Sequence, residues 1–151
     1  MKLAELLNER KAIKTEIKKL KERLHLAAKM QEGDSQPSES PEALKETLIG
    51  LYAILSDLII KINRANIEIR IEGKMIMELI AERDHAIAIA EMLHDLAGAA
   101  TPKPERFSRN EIRYVSTIDI NSVRKEADTY SKLAREIDNK IQASNWSIEV
   151  V

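Results

Sequence analysis

The stretch LAELLNERKAIKTEIKKLKERLHLA, residues 3–27, carries apolar side chains at alternating intervals of three and four residues. The positions on this stripe are Leu3, Leu6, Arg10, Ile13, Ile17, Leu20, Leu24 and Ala27. A strict 3-4 repeat gives a helix one narrow apolar face, which packs along a partner helix. The first helix, predicted over residues 2–31, therefore needs at least one other helix beside it.

Three more helices are predicted, over residues 41–66, 76–99 and 119–145. Residues 32–40 lack apolar side chains and form an exposed loop. Ser40 is the expected N-cap of the second helix, with Pro41 at its first position, and Asp119 or Thr117 caps the fourth helix. The second helix carries an additional apolar set, Ile54, Ile59 and Ile60, so it is expected to contact two neighbours.

Two short stretches alternate apolar and polar residues as strands do: IEIRIE at 67–72 and EIRYVSTI at 111–118. A lone strand leaves its backbone groups unpaired, so these two strands are expected to pair with each other, within one chain or between chains. The fold predicted is mainly α: a single domain over residues 1–151 with four long helices in a bundle and two strand insertions that form a small ribbon.

Composition narrows the class of protein. The 151 residues contain no cysteine, which favours a reducing, cytoplasmic setting. Aromatic residues make up 3%, a share that fits long helices and excludes β-sandwiches and barrels. The opening MKLAELLNER has charges where a signal peptide needs an apolar run, and no stretch is long and apolar enough for a membrane span. We therefore expect no membrane partner.

Charge is distributed unevenly. Residues 2–29 hold nine Lys or Arg against four Glu, whereas the whole chain has a net charge of −1. A solvated helix face accounts for such an excess of charge. Nucleic-acid binding is a weaker alternative, because no aromatic residues or groove-reading motif accompany the basic ones: Lys11, Lys14, Lys18, Lys19, Lys21 and Arg23.

Two arginines, Arg10 and Arg83, fall inside apolar stripes, so both guanidinium groups are expected to be partly buried and paired. The candidate partners are Glu5, Glu78, Asp84, Glu111 and Asp138. Two interpretations stay open: ion pairs that fix the register between helices, or a pocket for a small anion.

No pattern indicates catalysis. The third helix contains Glu82 with His85 and Glu91 with His94, the spacing of di-iron bundles, but no other helix supplies the matching ligands. Glu91 and His94 are therefore only weak metal candidates, and no metal or other cofactor is predicted. Because nucleophile arrangements and phosphate-binding glycine loops are also missing, enzymatic activity stays open and a protein without it is favoured.

Four motifs in order, LIIKINRAN, MELIAERD, RFSRNEIRYVSTIDI and IQASNW, resemble an uncharacterised family of short bacterial and archaeal helical proteins, some of them labelled septicolysin. The resemblance covers nearly the whole chain and implies a fold but no activity. It singles out Asn63, Asn66, Arg83, Asp84, Arg109, Glu111, Asn145 and Trp146. The chain departs from the family at Ala65, where a Thr is usual, and at KMIM after Gly73, where the family has a Thr-rich turn.

The function predicted is a homo-oligomeric helical scaffold or binding module without catalytic activity. The alternative is binding of a small anion or other ligand, with or without catalysis, at a polar cluster. The residues of that cluster are Arg10, Asn63, Asn66, Arg83, Asp84, Arg109 and Glu111.

Overall fold

The computed structural model describes residues 1–103 and 112–151. It contains four helices and one two-stranded antiparallel ribbon: α1 (Leu3–Ala27), α2 (Pro41–Glu68), β1 (Arg70–Ile71), β2 (Lys74–Met75), α3 (Ile76–Ala100) and α4 (Ile120–Ser147). The predicted fold class, mainly helical with four long helices and a small ribbon, is confirmed. The chain forms two compact units, residues 1–70 with 143–151 and residues 71–142.

Residues 1–70 and 143–151 are built on the antiparallel pairing of α1 with α2. The apolar stripe of α1 is buried or half-buried at every predicted position. Its core cluster consists of Ile17, Leu20, Ala27, Leu44 and Leu48, with Ile13, Leu24, Leu51 and Leu55 packed against it. The predicted stripe of α1 is thus the face that packs on α2, because the apolar area of each helix is buried against the other.

The first and last residues of the chain contact each other in this unit. The backbone N–H of Leu3 donates to the carbonyl of Ile148 (3.2 Å), and that of Val150 donates to the carbonyl of Met1 (2.8 Å). The Glu149 carboxylate accepts from the ammonium groups of Lys2 (2.9 Å) and of the first residue (3.0 Å). This bridge between the two ends is not predicted by any local pattern, because its residues lie almost 150 positions apart.

Helix ends follow the predicted capping. Ser40 Oγ accepts from the backbone N–H of Ala43 at 3.2 Å, and Asp119 Oδ1 accepts from that of Ser122 at 3.2 Å. Ser40 is therefore the N-cap of α2 and Asp119 that of α4. These short-range hydrogen bonds satisfy amide groups that have no partner inside the helix.

The predicted strands are wrong in extent and pairing. Residues 67 and 68 belong to α2, so the strand observed here, β1, is limited to Arg70–Ile71. It pairs with β2, which begins four residues later, through a turn at Glu72 and Gly73. Both turn residues have positive φ, 52° and 85°, as a two-residue type I′ hairpin requires. The twist of such a turn matches that of the two strands. The strand therefore has a partner nearby in the chain, and no distant strand is needed.

The second predicted strand, 111–118, is absent from its described part, residues 112–118. The Ser116 hydroxyl donates to the carbonyl of Ile118 at 2.8 Å, and its oxygen accepts from the Ile118 amide at 3.3 Å. A side chain that satisfies nearby backbone groups competes with a strand ladder. Ile112, Tyr114 and Val115 are exposed, so the alternation here does not mark a buried strand face.

Residues 71–142 contain α3 and most of α4. The buried residues of α3 are Ile76, Leu79, Ala86, Ala90, Leu93 and Ala97, and those of α4 in this unit are Ala127, Ala134 and Ile141. No helix in the described part of the chain is long and apolar enough to cross a membrane.

Candidate functional site

Arg83 of α3, a predicted site residue, makes ion pairs with two carboxylates. Its side chain is 24% exposed, and Nη1 donates to Asp138 Oδ1 of α4 at 2.8 Å. Its Nε donates to Asp84 Oδ1 at 3.1 Å. Burial alone would lower the pKa of Arg83, but the two carboxylates outweigh that effect and raise the pKa. The charge is thus held in place as a link between α3 and α4.

An open groove of about 870 Å³ lies along α3 and α4 beside this ion pair. Ile87, Ala90 and Ala134 supply its apolar surface. The polar lining residues are Arg83, Glu91, His94, Ser131, Lys132, Arg135, Glu136, Asp138 and Asn139. Three cationic and three acidic side chains line this α3–α4 groove, so its formal charge balances and it does not select strongly for anions.

Metal binding has no geometric support in the described residues. Glu91 and His94 line the α3–α4 groove, but no three His, Cys, Asp or Glu side chains within residues 1–103 and 112–151 converge as a metal site needs. Two protein ligands are too few for a stable site.

The other residues of the predicted polar cluster that the structure describes, apart from Asp84, lie in the unit of residues 1–70 and 143–151. Arg10, on α1, is half-buried, and its guanidinium makes no ion pair with a described residue, contrary to expectation. On α2, Asn63 is exposed and Asn66 is half-buried. Arg109 and Glu111 lie outside the described residues. Of the predicted cluster, Arg83 and Asp84 are in direct contact.

Asn63 lies on an exposed stripe of α2 that the sequence analysis missed. Six positions on this face repeat at 4-3-4-3-4 spacing, and we name them the outer stripe: Ile49, Ala53, Ser56, Ile60, Asn63 and Ile67. The three isoleucines are 58%, 47% and 52% exposed, and the neighbouring Tyr52 is 47% exposed. The heptad spacing could have revealed this stripe, but sequence cannot say that it stays uncovered while the opposite face is buried.

Trp146 is 59% exposed, whereas its neighbour Asn145 is 5% exposed. In the last turns of α4 the polar side chain is thus buried and the aromatic one is not.

Three exposed carboxylates are held by cations, which predicts how stability depends on pH. Hydrogen bonds from Arg23, Lys140 and Lys2 lower the pKa of Glu39, Glu72 and Glu149, respectively, below the ordinary value of 4.5. A carboxyl whose pKa is lowered by folding stabilises the fold above its unfolded pKa and loses that effect as pH falls through the folded pKa. We expect stability to decline below about pH 4.5.

Urea unfolding of the Glu149→Gln variant from pH 7 to pH 3 tests this dependence. The variant should be less stable than the parent at pH 7, and the difference should shrink as the pH falls below about 4.5. Glu32→Gln is the matched control, because Glu32 makes no ion pair within the described residues. A difference between Glu149→Gln and the parent that stays constant down to pH 3 would contradict the assignment.

Comparisons with known proteins agree with the fold and add no activity. A model described as a family of unknown function, DUF6847, matches residues 10–150. A crystal structure of a functionally unknown conserved protein from Corynebacterium diphtheriae is 36% identical, with a TM-score of 0.93, over 100% of this chain and 99% of that one. No curated protein matches significantly.

Proposed function

Because the chain belongs to DUF6847, a family of unknown function, we propose its role from geometry alone: a helical scaffold that associates with a second copy of itself through the outer stripe of α2. A cytoplasmic setting is part of the proposal. The septicolysin resemblance carries no weight in it.

The observation that carries this proposal is the second apolar face of α2. Leu44, Leu48 and Ile62 on the inner face are at most 8% exposed, while three isoleucines of the outer stripe remain about half-exposed. From Ile49 to Ile67 the outer stripe extends about 27 Å at 1.5 Å per residue. A heptad repeat of this length is what knobs-into-holes packing against another helix uses.

A second copy is the occupant that fits, because each copy presents the same stripe and a two-fold interface needs only one self-complementary surface. Asn63 lies at a core position of the repeat. A single polar residue at such a position fixes the register and the number of helices, at some cost in stability. Ala53 and Ser56 are small enough to admit the larger side chains of the partner helix.

Light scattering after size exclusion tests the proposal. The parent chain, of 17.1 kDa, should elute as a dimer or higher oligomer. Ile60→Glu should shift it to the monomer mass, because a charge buried in the interface is unpaired. Lys61→Glu is the matched control: it also introduces a carboxylate on α2, at an exposed position away from the outer stripe. A monomeric parent would refute the proposal.

Anion binding at Arg83 is the second candidate function. It is supported by the position of this arginine at the α3–α4 groove, whose volume falls in the range of small-molecule sites. Against it, Arg83 already contacts two carboxylates. The scaffold proposal is favoured because it needs no group that is already paired.

A further inference from the structure

The exposed face of α1 carries a continuous row of cations. Five residues form this row, and we name them the basic stripe: Arg10, Lys11, Lys14, Lys18 and Lys21. The four lysines are exposed and Arg10 is half-buried. At 100° per residue, these five side chains fall within about 100° of the helix circumference. Two shallow furrows, of about 730 and 370 Å³, run along them.

These charges are not neutralised by their surroundings. Within residues 1–103 and 112–151 none of the five makes an ion pair, whereas Arg23, on the same helix, is held by Glu39. Three of the four glutamates of α1, Glu5, Glu9 and Glu16, lie roughly opposite the stripe at 100° per residue. The fourth, Glu22, lies beside Lys18 and Lys21 on the smaller furrow, while Lys19 and Arg23 lie nearer the other glutamates. With Glu22 counted, the basic stripe keeps an excess of four positive charges, five cations minus one carboxylate, which the net charge of −1 conceals.

We propose that the basic stripe of α1 binds the phosphate backbone of double-stranded nucleic acid. A row of lysines about 16 Å long, at 1.5 Å per residue, matches a ladder of phosphates by charge. Because α1 has no aromatic residue to stack on bases, the contact is with the backbone and is independent of sequence.

An anionic membrane surface fits the basic stripe less well. Helices that lie in a membrane interface insert an apolar face beside their basic residues. The apolar face of α1, with Ile17, Leu20 and Ala27, is already buried against α2. Leu26 of α1 is 77% exposed, but at 100° per residue it lies outside the basic stripe. The stripe itself presents charge, which suits phosphates in water.

Fluorescence anisotropy with a labelled DNA duplex of about 24 base pairs, titrated at several KCl concentrations, tests the inference. With about five phosphate contacts, the logarithm of the association constant should fall with log[KCl] with a slope of about −4.5. Lys14→Gln/Lys18→Gln should reduce the magnitude of the slope by about 2 and weaken binding about ten-fold or more at low salt.

The matched control is Lys61→Gln/Lys125→Gln, which removes the same charge from exposed positions on α2 and α4. It should leave the slope and the affinity within about two-fold of the parent, since neither lysine belongs to the basic stripe. Circular dichroism checks that both double variants remain folded.

Three results would overturn the inference: no binding of the duplex at 20 mM KCl, equal losses in the two double variants, or binding to phosphatidylserine vesicles without binding to the duplex. None of them bears on self-association through the outer stripe, which light scattering measures without nucleic acid.

Discussion

Replacing Ile62 by alanine is expected to lower the free energy of unfolding by about 3 kcal/mol. Ile62 is 1% exposed on the inner face of α2. Truncation removes buried methyl groups and leaves a cavity whose walls relax only partly, and the two effects add. Urea unfolding followed by circular dichroism measures the loss.

Ile60→Ala is the control, because Ile60 lies two residues from Ile62, on the outer stripe, and is 47% exposed. Measurements over a range of protein concentrations distinguish the two variants. The proposed self-association predicts that the parent becomes more stable as its concentration rises. Ile60→Ala should weaken that dependence with a smaller effect at low concentration, whereas Ile62→Ala should destabilise at every concentration. Equal effects of the two variants throughout would show that the assignment of inner and outer faces is wrong.

Replacing Asp138 by alanine is expected to lower the free energy of unfolding by about 2 kcal/mol. The Arg83 guanidinium would then keep only the contact with Asp84, while most of its side chain stays out of water. A fully buried pair would cost more, about 3–5 kcal/mol, but Arg83 and Asp138 are partly exposed and solvent screens them. Asp84→Ala is the control with a smaller expected loss, since its side chain is 60% exposed.

The double variant Arg83→Met/Asp138→Leu decides between the two interpretations of Arg83. A structural pair can be replaced by apolar residues of similar volume with little net loss, so the double variant should recover most of the stability lost in Asp138→Ala. For a structural pair, 10 mM inorganic phosphate should leave the melting temperature of the parent unchanged. A phosphate-dependent rise that disappears in the double variant would instead establish anion binding at Arg83.

The interactions that span a few residues were predictable from sequence. Four helices, the caps at Ser40 and Asp119 and the buried stripe of α1 all depend on spacings of three to four residues, which fix the face and the ends of a helix. Within the strand predicted at 111–118, the described residues 112–118 form no strand, because Ser116 provides an equally local alternative to a ladder.

By itself, the sequence determined that four stretches form helices and which positions of α1 are buried, since both properties are set by backbone geometry within a turn or two. Only the tertiary structure decided that Arg83 pairs with Asp138, 55 positions away, and that the inner face of α2 is covered while the outer stripe is left exposed. The physical reason is that burial and ion pairing depend on which surfaces meet in space, and α2 offers two apolar faces with the same periodicity.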